Sequence, residues 1–104
     1  KRLLPTQLIL NHLVWREVFS SVYALDTRSP AFPNKAAMIA GLIQDVGIAH
    51  DSAAYIVDRP EDGFAADANE LPFYAADWGY SAFPANETPA HWVRLTTPGD
   101  LLRI

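Results

Sequence analysis

Residues Ala54-Tyr55-Ile56-Val57-Asp58-Arg59-Pro60-Glu61-Asp62-Gly63-Phe64-Ala65-Ala66-Asp67-Ala68-Asn69-Glu70-Leu71-Pro72-Phe73 decide how this chain is read. The run 54–57 is short, continuous and apolar, the pattern of a strand covered on both faces. An acidic turn over 58–62 follows, and Pro60 helps to fix it. A short alanine-rich helix is expected over 63–68 and a further strand over 71–75. Strand, helix and strand at this spacing make a parallel pair with a helical crossover. In an open parallel sheet, ligands bind beyond the carboxyl ends of the strands. Asp58 and Asp62 stand at such an end, four residues apart. Their hard oxygens suit Mg2+, which takes one or two protein carboxylates and shares the rest of its shell with water and phosphate. Acids before a helix are also ordinary turn and N-cap residues. Spacing alone leaves the two explanations equal.

Upstream, Asn34 is a good N-cap for a helix over 35–46, with Met38, Ile39, Leu42, Ile43 and Val46 as its apolar face. Gly47 stands where a left-handed capping residue belongs. Lys35 opens this helix against the macrodipole, which points either to a role or to a solvated surface lysine. Before it, a helix is expected over 5–19 with Thr6 as N-cap. A strand is expected over 21–25 with Val22 and Tyr23 as its β-formers, then a loop over 26–33 set by Pro30 and Pro33. Downstream come an aromatic loop over 77–89 with Trp78, Tyr80 and Phe83, and a strand over 92–95. Thr97, Pro98 and Asp100 form a helix start for 99–104. The alternation predicts an α/β three-layer sandwich with a parallel, Rossmann-like sheet in a single domain.

The chain has 104 residues, half of them hydrophobic, enough for one small packed domain. Its formal net charge is -4, so no basic face points to nucleic acid or an anionic membrane. No apolar run reaches the roughly 18 residues of a membrane span. The absence of cysteine excludes a disulfide scaffold, a thiolate metal site and a cysteine nucleophile. A cytoplasmic protein is the expectation. The first residue is Lys1 rather than Met, which suggests a processed or truncated chain.

Several motifs together resemble the haloacid dehalogenase-like (HAD) hydrolases, in the phosphoglycolate phosphatase-like group. The stretch 54–73 looks like that family's fourth motif: a buried strand, an aspartate, three residues, a second aspartate, then a helix of small residues. Phe32-Pro33-Asn34-Lys35-Ala36-Ala37-Met38-Ile39 resembles the third motif, a lysine opening a helix. Trp78-Gly79-Tyr80 resembles the segment after the fifth strand. Lys1-Arg2-Leu3-Leu4-Pro5-Thr6 looks like the segment just after the second motif. The resemblance runs along nearly the whole chain in the family's order.

It implies a Mg2+-dependent phosphate monoester hydrolase, of which residues 1–104 are the C-terminal part of the core domain. Lys35 would hold the substrate phosphate, and Asp58 and Asp62 would bind or orient Mg2+. The family reaction is attack by an aspartate on a small phosphorylated substrate, then hydrolysis of the aspartyl-phosphate. The Asp-x-Asp nucleophile motif is absent, because Leu25-Asp26-Thr27 lacks the second aspartate and stands in the wrong order. The second motif and the cap are absent too. The family's sheet order is 3-2-1-4-5, so this chain would supply strands three, four and five and lack the first two. Unpaired backbone at the gap then calls for an upstream half of the same protein, a partner chain or a rearranged sheet. Val57 and Glu70 replace usual glycines, and Glu70 would hold a left-handed conformation at about 1 kcal/mol. These departures support the alternative of a non-catalytic HAD-like binding or structural subunit.

The other chemistry-bearing residues carry blander expectations. His12, His50 and His91 are too dispersed for a metal site and are read as packing or surface residues. Trp15 and Trp92 are expected as core or interface anchors. Trp78, Tyr80 and Phe83 either line a substrate mouth or pack on the sheet edge. Arg59 either touches phosphate or pairs with Glu61 or Asp62.

Overall fold

A computed structural model describes residues 2–78 and 88–104. The chain divides into two units, Lys1–Asp45 and Val46–Ile104.

In the first unit, α1 spans Leu3–His12 after an extended Arg2. Thr6 is therefore inside the helix, not its cap, and its hydroxyl donates back to the Arg2 carbonyl at 2.9 Å. The helix expected as far as residue 19 stops short because Val14 turns left-handed, with φ 60. There the Trp15 N–H bonds to Leu10 O and the Val14 N–H to Asn11 O, the paired closure of a Schellman motif. Only a single 3-10 turn, Arg16–Val18, follows. Leu8, Ile9, Leu13 and Trp15 stay exposed, so Trp15 is not a core residue of this chain.

The strand expected over 21–25 does not form. Strand geometry needs a neighbour to complete its ladder, and Ala24 and Tyr23 of this segment bond to side chains instead. Ala24 N–H donates to Thr27 Oγ1 at 2.7 Å, and the Tyr23 hydroxyl donates to Asp45 Oδ2 at 2.6 Å. Residues 26–33 are a loop, as expected, with a cis Ser29–Pro30 bond. α2 spans Lys35–Val46. Asn34 caps it through Oδ1, which accepts the Ala37 N–H at 2.8 Å, and Gly47 ends it with φ 74. Ile39 supplies its buried face, and Phe32 is buried beside Gly41, where a Cβ would come within 2.7 Å of the ring.

The second unit is a mixed α/β assembly on a three-stranded parallel sheet. β1 (Tyr55–Val57), β2 (Phe73–Ala76) and β3 (Val93–Leu95) lie side by side in chain order. Val57 is level with Ala75, and Ala76 with Leu95. β1 is an edge and only half covered, with Ile56 39% exposed, so it is not the fully buried strand expected; β2 is the better covered, with Phe73, Ala75 and Ala76 buried. α3 (Pro60–Ala68) begins three residues earlier than expected, because Pro60 is well suited to the first helical position. It packs on β1 and β2 through Asp62, Gly63, Ala65 and Ala66, all buried.

Trp92 closes this unit. It is buried and sets its ring 4.9 Å from Phe73 and 5.0 Å from Phe64, edge-on to both. A Cβ on Gly63 would lie 2.4 Å from that ring, so α3 can approach only where it has no side chain. α3 ends on Glu70, which takes φ 57, the left-handed conformation expected at this position. Leu71 N–H to Ala66 O and Glu70 N–H to Asp67 O complete a second Schellman closure. The final helix is 3-10 rather than α, over Pro98–Arg103, and Thr97 and Asp100 form its capping box. Backbone N–H donors of Thr97 and Thr96, then the Thr96 hydroxyl, hold the Asp100 carboxyl below its ordinary value. Its contribution is present above that value and is lost as pH falls through the depressed one. No described helix is long and apolar enough to cross a membrane.

Two substitutions test this packing by urea denaturation. Gly63→Ala is expected to cost about 1–3 kcal/mol, because the Trp92 ring must shift. Glu70→Gly is expected to add up to about 1 kcal/mol by relieving a left-handed side-chain residue. A neutral Gly63→Ala would contradict the close approach.

Candidate functional site

The parallel sheet gathers its polar ends on one side. Asp58 follows β1 directly and is half-buried. β1 ends with Val57 level with Ala75 and β2 with Ala76 level with Leu95, so Asp58 and Asp77 each follow directly after a strand. Asp62 is the third residue of α3 and only 2% exposed. Its own N–H bonds to the Arg59 carbonyl at 3.1 Å, so it belongs to the first helical turn. A carboxylate there is favoured by the free N–H groups and dipole of the helix. Burial of its charge carries a desolvation cost all the same, which an exposed turn residue would not have.

The charge of Asp62 is felt by a neighbour. Tyr55, at the start of β1, has its phenol raised above the ordinary value of 10.0, first by burial and then by Asp62. Arg59 pairs with Glu61 at 3.5 Å on the exposed side of the turn. Lys35 is the exposed first residue of α2 and belongs to the first unit, whereas Asp58 and Asp62 belong to the second. The structure thus brings the two acids to one strand–helix junction and treats the lysine separately.

Among the described residues, no three histidine or carboxylate side chains converge on a point that could hold a cation. Asp58 and Asp62 are two carboxylates at this junction, fewer than the three side chains of such a group. The histidines do not join them. His50 Nδ1 meets the Asn69 carbonyl at 2.8 Å, and His91 Nε2 meets Asp67 Oδ1 at 2.8 Å. Trp78 is described and 39% exposed, while Gly79, Tyr80 and Phe83 lie outside the described residues.

Two polar clusters were not read from the sequence. Asp67 receives the Trp92 indole N–H on both oxygens, at 3.2 and 3.1 Å, beside its contact with His91. Asp77 receives Arg94 Nη1 at 3.2 Å, and its N–H donates to Leu95 O at 2.9 Å. Their partners are 17 to 25 positions away, so no local pattern announces them. Set against protein-family models, curated proteins and solved structures, the chain matches none of them.

The Tyr55–Asp62 relation is open to measurement by tyrosine ring NMR, with Tyr55→Phe assigning the signal. Asp62→Asn is expected to lower the Tyr55 pKa while leaving it above its ordinary value, since burial is the larger cause. A raised phenol pKa also means that folding stability falls as pH climbs past the unfolded-state value near 10. An unchanged Tyr55 titration in Asp62→Asn would show that the Asp62 charge does not reach it.

Proposed function

We propose that this chain is the metal-binding part of a HAD-like phosphate monoester hydrolase. The observation that carries the reading is the junction of β1 and α3. A half-buried aspartate ends a parallel strand, and a fully buried one stands four residues on, in the first turn of the crossover helix. Neighbouring parallel strands β1 and β2 agree with the fourth and fifth strands of that family's sheet order. The left-handed Glu70 agrees with the glycine usual before the fifth strand.

In this reading Asp58 and Asp62 hold Mg2+, which supplies charge neutralisation and a template for the phosphate. Asp58, directly after the strand, is the ligand exposed to substrate. Asp62, held in the helix and buried, fixes the orientation of the shell. The nucleophilic aspartate would come from an upstream half of the same protein or from a partner chain. The free edge of β1 is where its strand would pair, giving backbone groups of that edge their partners. The substrate is a small phosphorylated compound.

Calorimetric titration with Mg2+ tests the metal site on the chain itself. Binding in the millimolar range or tighter is expected, weakened at least about tenfold by Asp58→Asn. The chain alone is expected to turn over no 4-nitrophenyl phosphate, because it has no Asp-x-Asp nucleophile. Mg2+ binding that ignores Asp58→Asn would remove the metal assignment and leave the non-catalytic subunit as the better reading.

A further inference from the structure

One side of α1 is occupied within its own unit, because Gln7, Leu10 and Asn11 line a cavity together with the segment from Phe19 to Val22. On the far side stand Leu4, Leu8, Ile9 and Leu13, and Val14 and Trp15 follow at the end of the helix. All six are between 43% and 86% exposed. No residue of α1 is buried, and the helix holds no Asp, Glu, Lys or Arg. The solvated face of a surface helix is ordinarily polar or charged. Six large side chains exposed to this degree put on the order of 600 Å2 of apolar area in water. That is the upper end for the largest patch of a monomer and most of the roughly 800 Å2 that a standard interface takes from each partner.

The spacing of this face is its own reverse. About a midpoint between Leu8 and Ile9, Leu4 mirrors Leu13 and Leu8 mirrors Ile9. A two-fold axis through that midpoint lays the ridge Leu4–Leu8 of one copy beside the ridge Ile9–Leu13 of the next. Charge agrees with this arrangement. Arg2 stands at the N-cap of α1 with no acid in the first turn, where the dipole of its own helix disfavours it. In an antiparallel pair it lies near the C-terminal end of the facing helix, where a cation is favoured.

We propose that the outward face of α1 docks a second copy of this chain, helix against helix, in an antiparallel two-fold pair. Trp15 then serves as an interface anchor. The pairing is independent of the proposed metal site, which belongs to the other unit.

Sedimentation equilibrium of the 104-residue chain tests this. A mass twice the 11.5 kDa of one chain is expected at about 100 μM, since interfaces of standard size hold in the micromolar range or tighter. Leu8→Gln and Ile9→Gln stand at exposed positions, and glutamine is a good helix former. Each is expected to weaken the dimer at least about tenfold by burying an amide at the centre of the pair, with the backbone amide spectrum of α2 unchanged as the sign of an intact fold. The direction of pairing is read by NMR on a mixture. A nitroxide is placed on Leu4→Cys, in a chain that has no other cysteine, and mixed with an unaltered 15N-labelled copy. It is expected to broaden the Leu13 amide of that copy more strongly than its Leu4 amide. A larger effect at Leu4 overturns the antiparallel pair. A monomer at this concentration, or a dimer indifferent to both glutamines, overturns self-association through α1 and leaves the face to a different protein or a further segment.

Discussion

The second unit depends on one contact, the Trp92 ring against the bare backbone of Gly63. Because that glycine carries no side chain, α3 sits close enough for the indole to reach both Phe64 and Phe73. The indole N–H, buried by the same packing, is satisfied by both oxygens of Asp67 one and a bit turns further along the helix. One side chain therefore fixes the height of the helix, its rotation and the start of β3. The position of Asp62 follows from this, since it shares the buried face of α3 with Gly63. A buried carboxylate at the sheet end is held by packing well below it, on a rigid scaffold.

Much of this unit was legible because its signals are local. The apolar run 54–57 and the capping box of Thr97 and Asp100 each act within a few residues. Glu70 was legible for the opposite reason: it breaks a local rule, and the structure keeps the left-handed backbone that makes the breach costly. The first unit was harder to read. The periodicity of residues 5–19 suits a helix throughout, yet Val14 adopts a conformation that β-branched residues rarely take. Nothing in the spacing of apolar residues encodes that reversal. Residues 21–25 have strand-forming side chains, but a strand is a property of a pair, and no partner strand is present among the described residues.

The candidate site shows the same division. Asp58 and Asp62 could be found because a strand end and a helix start are visible in sequence, and the burial of Asp62 could not. The spacing of the two acids fits a solvated turn as readily as a metal site, and the packing of α3 adds only that Asp62 is buried. Asp67 and Asp77 are invisible for another reason. Each is defined by partners on the far side of a crossover, and charge alone does not say which of twelve acids will be engaged. Sequence reading thus locates the chemistry that sits on element ends and misses the chemistry that ties elements together.

The strand order also has a meaning in time. β1, β2 and β3 are neighbours in space in the order in which a ribosome would release them. The sheet can therefore grow in one direction, each new strand meeting the one already placed, as domains do when they fold from the N-terminal side. β1 founds this growth, and among the described residues no strand pairs with its other edge. A strand synthesised earlier on the same chain would already be at hand when β1 emerges. A strand on a separate chain would have to find that edge in competition with every other exposed strand in the cell.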